Sequence, residues 1–132
     1  ISGFKLAEGT PNTRSKLMTE GSFTTNGITF DVNSAKLKEA SYGVIREIAM
    51  VLKENPTVRI KIVGHTDSDG AAALNQELSL KRATSVQEAL VTNFSIDKSR
   101  IEVEGKGSSM PVAENNTPLN KALNRRVQFV KL

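Results

Sequence analysis

The chain has 132 residues, which is the size of one domain or of one domain with a short leader, and its formal net charge is +4. The hydrophobic fraction of 38% and the charged fraction of 24% are ordinary for a globular domain, and no apolar run is long enough for a transmembrane helix. The absence of cysteine excludes disulfides and cysteine-ligated zinc. The basic residues are spread along the chain and aromatic residues are few, which argues against nucleic-acid binding.

The start of the chain predicts little regular structure. It lacks the apolar stretch of a signal peptide, so the sequence indicates either a cytosolic protein or a fragment of a longer exported one. Residues 1–20 are polar and rich in turn-forming residues, and we expect a linker or irregular leader there. The folded domain is expected over residues 21–132.

The first predicted strand surrounds the turn signal Asn26-Gly27. One apolar residue precedes this turn, and others alternate with polar residues after it, at Phe23, Ile28, Phe30 and Val32. A helix is predicted over 36–54, with Asn33 or Ser34 as its N-terminal cap, because apolar residues then recur at helical spacing.

The remaining elements are predicted from the same two periodicities and from turn residues. They are a strand over 58–62 that runs into Gly64, a helix over 71–93, a strand over 101–105, a loop over 107–116, a short helix over 119–124 after the cap Thr117, and a last strand over 127–132. The predicted fold class is therefore α/β, an α+β sandwich in the order β-α-β-α-β-(short α)-β. We expect a mixed sheet of about four strands with both long helices packed on one face.

Two opposite charges mark the candidate site. Asp67 follows the predicted second strand, where ligand groups usually lie in α/β sheets, and Arg82 lies on the next helix. Such a pair can hold a zwitterion, since the carboxylate accepts an ammonium and the guanidinium binds a carboxylate in bidentate fashion. The alternative is a structural salt bridge that joins the helix to the sheet.

Other polar residues have both functional and structural interpretations. Asn75 and Ser79 lie one helical turn apart on the side that could face Asp67, or they form a polar helix face. Arg125 and Arg126 are adjacent, so in a strand only one of them reaches the site. The single histidine, His65, suggests a metal cluster with the aspartates that follow it, but no second histidine exists, and no nucleophile motif is present.

Several motifs together resemble the OmpA-like peptidoglycan-binding domain family over about residues 28–132. They are Phe30-Asp31-Val32-Asn33-Ser34, Gly64-His65-Thr66-Asp67 with Gly70, Asn75, Leu78-Ser79, Arg82-Ala83, Gly105-x-Gly107 with Pro111, and Asn124-Arg125-Arg126-Val127. The resemblance implies a periplasmic, non-catalytic domain without a cofactor. It would bind the meso-diaminopimelate of the peptidoglycan stem peptide, and a missing N-terminal part would tether it to the outer membrane.

The resemblance also implies roles for particular side chains. Asp67 would accept the ligand ammonium, Arg82 would hold its carboxylate, and Asn75 would add hydrogen bonds. Asp31 would line the groove, and Arg126 is favoured over its neighbour as the arginine that meets the peptide.

Two other hypotheses stay open from the sequence. The first is a wall-binding module of a stator or secretion complex, similar to the MotB family, in which the domain would form a homodimer. The second is a metal-assisted hydrolase that uses His65, Asp67 and Asp69.

Overall fold

The computed structural model describes residues 17–31 and 34–132. Most of the predicted leader, residues 1–16, lies outside the described residues, as do Val32 and Asn33. The elements are β1 (Ser22–Thr25), α1 (Ser41–Glu54), β2 (Ile60–His65), α2 (Ala72–Phe94), a 3₁₀ turn (Lys98–Arg100), β3 (Ile101–Gly107), α3 (Pro118–Asn124) and β4 (Arg126–Lys131). This order confirms the predicted succession of strands and helices.

The four strands form one mixed sheet in the order β1-β4-β2-β3. β2 and β3 are parallel, and α2 forms the crossover between them, whereas β4 is antiparallel to both β1 and β2. The sheet therefore has the strand number and mixed direction that the sequence predicts. The carboxyl end of β2 lies in the middle of the sheet, beside the start of β4.

One hydrophobic core joins the sheet to both long helices. Alternate residues of the central strands are fully buried, including Ile62 of β2 and Phe129 of β4, which pair in register. α1 contributes Ile48 and α2 contributes Leu90 to the same cluster. Burial of such side chains is worth about 1.5–3 kcal/mol each, so this face of the sheet holds the domain together.

α2 lies unusually close to the strands beneath it. A Cβ atom at Gly64 would stand 2.3 Å from the backbone oxygen of Ser79, and one at Gly105 would stand 2.5 Å from the backbone nitrogen of Leu80. The two glycines are neighbours in the β2–β3 register. The Ser79 hydroxyl donates to the oxygen of Gln76 at 2.9 Å and accepts from the nitrogen of Gly107 at 2.9 Å. These glycines therefore let α2 contact the sheet at backbone distance.

The first strand and the first helix differ from the sequence prediction. The strand lies before the turn at Asn26 and not after it, because Phe23 stacks on Phe129 with ring centroids 6.4 Å apart. Phe30 forms only an isolated bridge to Leu37. The prediction of a strand after the turn was therefore wrong.

α1 begins at Ser41, five residues later than the predicted start at residue 36. The fully buried Ser41 hydroxyl accepts from the nitrogen of Thr29 at 2.8 Å and donates to its oxygen at 3.1 Å. The backbone nitrogen of Lys38 also donates to the Thr29 oxygen, at 3.1 Å. These bonds hold the segment before Ser41 against residues 29–30, so Ser34 does not cap the helix.

The short helix α3 begins with the predicted cap. The Thr117 hydroxyl accepts from the nitrogen of Asn120 at 3.1 Å and Pro118 occupies the first helical position, which confirms the predicted cap.

Leu17 is fully buried in the core, so the packed chain includes residues before the expected boundary at 21. Among the residues that the structure describes, no helix combines the length and apolar character that a bilayer span requires.

Candidate functional site

A cavity of about 460 Å³ opens at the carboxyl end of β2. It lies between the loop over 26–30, the first half of α2 and the junction of α3 with β4. Its volume is within the range typical of small-molecule sites. The charged and amide side chains that line it are Asn26, Asp67, Asp69, Asn75, Arg82, Arg125 and Arg126.

Asp67 is the most enclosed carboxylate of the cavity, with 11% of its side chain exposed. One carboxylate oxygen, Oδ1, accepts from the backbone nitrogen of Asp69 at 3.0 Å, as in an Asx turn. The other, Oδ2, accepts from Nη1 of Arg125. The carboxylate is therefore fixed by the chain that follows β2, and it faces a cation.

Arg82 is buried on α2 and is held by backbone oxygens of the loop before α1. Its Nε donates to the oxygen of Ser34 at 2.9 Å, and its Nη2 donates to the oxygen of Asp31 at 3.2 Å. Its guanidinium carbon lies 4.9 Å from the centre of the Phe30 ring. Nη1 has no hydrogen-bond partner within 17–31 and 34–132, and the side chain lines the cavity.

Burial and two neighbouring charges affect the pKa of Arg82. Burial lowers the pKa of its guanidinium, the nearby Asp67 carboxylate raises it, and Arg125 lowers it. A guanidinium remains protonated despite such shifts. Arg82 is therefore a permanent, partly desolvated cation, for which an incoming carboxylate is a favourable partner.

Asn75 supports the site from the first turn of α2. Its Nδ2 donates to the backbone oxygen of Asp67 at 3.3 Å and to that of Asp69 at 2.9 Å. The amide thus holds the loop that carries both aspartates. Asp69 also pairs with Lys121 of α3 at 2.9 Å.

Two predicted site residues occupy different positions from those expected. The Asp31 side chain is 71% exposed and pairs with Lys38 at 3.5 Å, so only its backbone oxygen reaches Arg82. Arg126 lines the cavity, but its Nη2 donates to the oxygen of Met110 at 2.7 Å and its Nη1 to the oxygen of Asn124 at 3.2 Å. Arg126 thus binds the loop that precedes α3.

Arg125 contacts Asp67, a pairing that the sequence analysis did not predict. The sequence analysis favoured the neighbouring Arg126 only as the arginine that meets the peptide. Arg125 lies at the C-terminal cap of α3 with φ −80° and ψ 94°, and β4 begins one residue later. The alternation of the buried Val127 and Phe129 was the available signal, since it assigns Arg126 to the opposite face of the strand.

The junction that carries Arg125 is held by two asparagines. Asn26 Nδ2 donates to the oxygens of Ala122, Leu123 and Arg125 at 3.2, 3.1 and 3.1 Å, which satisfies the end of α3. Asn124 is fully buried, and its Oδ1 accepts from the nitrogens of Val112 and Ala113 at 2.7 and 3.0 Å. These two amides therefore fix the backbone of the junction that carries Arg125.

His65 does not join the aspartates in a cluster. Its Nε2 lies 3.5 Å from Oε1 of Gln128, and its buried Nδ1 has no hydrogen-bond partner among the residues that the structure describes. Asp67 and Asp69 are instead engaged with Arg125 and Lys121. The described part of the chain contains no group of three metal-binding side chains.

Relatives of the chain are outer-membrane and envelope proteins by name. The probable lipoprotein YiaD of Escherichia coli strain K12 is 47% identical over 104 residues, which are 79% of this chain and 47% of that protein. The peptidoglycan-binding protein ArfA of Mycobacterium bovis is 38% identical over 103 residues, which are 78% of this chain and 31% of that protein. The chain thus spans about half the length of these curated relatives, or less.

A solved structure has the same fold. The peptidoglycan-associated lipoprotein from Burkholderia pseudomallei is similar with a TM-score of 0.75 and 27% identity, over 94% of this chain and 100% of that one. In sequence, residues 29–125 match the OmpA family. Because this match covers most of the 132 residues, the chain belongs to the OmpA family.

Proposed function

We propose that this chain binds peptidoglycan non-covalently through the meso-diaminopimelate of the stem peptide. The observation that carries the proposal is the pair of buried, oppositely charged groups, Asp67 and Arg82, on one cavity. The names of two similar proteins, a peptidoglycan-binding protein and a peptidoglycan-associated lipoprotein, support the ligand class.

The chemistry of the distal end of diaminopimelate matches these two groups. That carbon carries an ammonium and a carboxylate. A site that holds both groups needs one anionic and one cationic side chain on rigid elements. The ammonium would bind Asp67, which is fixed by the Asp69 nitrogen, and the carboxylate would bind Nη1 of Arg82. Asn75 acts in this proposal by holding the loop of Asp67.

The proposed role of the whole protein is to anchor the outer membrane to the cell wall. In that role the domain lies in the periplasm, and a part of the protein outside this chain provides the tether. Support comes from relatives named as a lipoprotein and as an outer membrane porin. Many tethered copies would make weak individual sites sufficient, because binding of the first raises the local concentration for the next.

Co-sedimentation with purified sacculi of the diaminopimelate type tests the proposal. Asp67→Asn and Arg82→Ala are each expected to weaken binding about 10- to 100-fold, the scale of one charge-assisted hydrogen bond. Circular dichroism and the thermal midpoint of each variant report whether the fold is kept.

The matched controls are Glu102→Gln and Arg59→Ala, which remove a carboxylate and a guanidinium at the amino end of the parallel strands. These residues form an exposed pair at 3.6 Å, far along the sheet from the cavity. The proposed site would be excluded if both site variants bound sacculi as well as the parent. It would also be excluded if the controls lost as much binding as the site variants.

A further inference from the structure

The carboxylate that would receive the ligand ammonium already holds a cation. Nη1 of Arg125 donates to Oδ2 of Asp67, and Oδ1 is occupied by the Asp69 nitrogen. Only 11% of the Asp67 side chain is exposed. A ligand ammonium therefore meets a carboxylate whose two oxygens are both engaged by the protein itself.

We propose that Arg125 is an exchangeable internal cation that makes the site selective for zwitterions. The inference rests on the function proposed above and adds a specificity-determining residue to it. On binding, the ligand ammonium replaces Arg125 at Asp67, and the released guanidinium joins Arg82 on the ligand carboxylate. One internal ion pair is thus exchanged for contacts to both ligand charges.

The structure lets the Arg125 side chain move without disturbing the fold. The side chain is 47% exposed, and its contact with Asp67 is its one hydrogen bond within the described residues. Its backbone is held separately, since its nitrogen donates to the oxygen of Lys121 at 3.2 Å and its oxygen accepts from Asn26 at 3.1 Å. An ion pair with one half-exposed partner contributes little stability, so a ligand can break it at small cost.

The exchange discriminates between ligands by their second charge. A ligand with an ammonium alone leaves Arg125 without a counter-ion beside the buried guanidinium of Arg82, which is unfavourable for two like charges. A zwitterion supplies a carboxylate between the two arginines and removes that cost. Arg125 thus weakens binding of the monocation more than it strengthens binding of the zwitterion. Such a repulsive contact with the wrong ligand is one source of specificity.

Two stem tetrapeptides test the inference by NMR titration of the 132-residue chain. One peptide has meso-diaminopimelate at its third position and the other has lysine, which lacks the distal carboxylate. For Arg125→Gln we expect the affinity for the lysine peptide to rise about threefold or more, the scale of a partly exposed ion pair. The affinity for the diaminopimelate peptide is expected to stay level or to fall, so the ratio between the peptides decreases.

Lys121→Gln is the matched control for loss of one positive charge. Lys121 lies on the same helix and pairs with Asp69 at 2.9 Å, without contacting Asp67. We expect this variant to leave the affinity for the lysine peptide within twofold of the parent. An equal rise in both variants would overturn the exchange in favour of general electrostatics.

The outcomes separate the inference from the function on which it rests. If the parent chain binds the diaminopimelate peptide and Arg125→Gln leaves the lysine-peptide affinity unchanged, the exchange is overturned while the proposed function stands. If the parent chain binds neither peptide, the proposed function itself is overturned, and the exchange falls with it.

Discussion

His65 is a buried neutral histidine on the sheet, and its ionisation is coupled to folding. Burial lowers its pKa below the ordinary value of 6.5, and Arg126 lowers it further. The hydrogen bond to Gln128 raises the pKa in part, and the charges of Lys106 and Glu104 have smaller effects of opposite sign. The unfolded chain therefore binds a proton at a higher pH than the folded chain does. Stability is complete above about pH 6.5 and falls as the pH decreases toward the folded pKa.

The prediction is a histidine-dependent loss of stability between about pH 7 and pH 5, with a slope of at most about 1.4 kcal/mol per pH unit. Urea unfolding across this range is expected to show the slope in the parent and a reduced slope in His65→Gln. The carboxyls with lowered pKa values, Asp97 and Glu104, have ordinary values of 3.8 and 4.5, so they lose their contributions at lower pH. Equal slopes for parent and variant would show that His65 titrates alike in both states.

At the residue scale, the sequence predicted a site residue best where a motif coincides with the end of a predicted strand. Asp67 follows β2 and Arg82 lies two to three turns into α2, which indicates that helix packing can bring both side chains to one strand end, and both line the cavity. The preference for Arg126 as the arginine that meets the peptide stays a prediction, whereas the pairing of Arg125 with Asp67 was not predicted. The position of the Asp31 side chain depends on a loop that has no periodic pattern.

The contact between α2 and the parallel strands is the feature of the fold that fixes the site. Gly64 and Gly105 let the helix backbone approach, and the Ser79 hydroxyl bonds it to β3 through the nitrogen of Gly107. Asp67 lies three residues after Gly64, and Arg82 lies three residues after Ser79. Any shift of α2 against the sheet therefore changes the separation of the two charges.

A glycine pair tests this close approach. Gly64→Ala is expected to destabilise the domain by about 3 kcal/mol or more, because its Cβ would overlap a helix backbone oxygen 2.3 Å away. Gly43→Ala in α1 meets nothing within 4 Å and is expected to be neutral or stabilising by up to about 1 kcal/mol. Urea denaturation measures both. A small effect of Gly64→Ala would mean that α2 adjusts its distance from the sheet without cost.

At the element scale, helices and strands with a single clear period were predicted well. β2, α2, β3 and α3 lie within a few residues of the predicted ranges, because each has regular apolar spacing and a recognisable end. Residues 28–31 and 36–40 were misassigned because Ile28, Phe30 and Leu37 have the spacing of periodic elements. Their burial results from packing of an irregular loop on the core, to which Ile28 belongs.

At the scale of the whole molecule, topology brings the site together from distant parts of the chain. The crossover from β2 to β3 carries Arg82, and β4 returns between β1 and β2 so that the α3 junction meets the carboxyl end of β2. The mixed sheet was predictable from the order of elements, and the family resemblance was confirmed by the match over residues 29–125. The central position of β4 was not predictable, because the sequence pattern does not specify strand order.

Affinity of the isolated domain should be modest. Two charge-assisted contacts offer about 1.5–3 kcal/mol each, and ordering and desolvation consume much of that gain. We therefore expect a dissociation constant for one stem peptide that is micromolar or weaker.

Protein-observed NMR titration with the diaminopimelate stem tetrapeptide tests the central claim most directly. We predict saturable shifts concentrated at the loop of Asp67, at the first half of α2 around Arg82 and at the α3–β4 junction. The amino end of the sheet near Arg59 should remain unchanged. Absence of saturable shifts, or shifts centred on the amino end of the sheet, would contradict the assignment of this cavity as the peptidoglycan site.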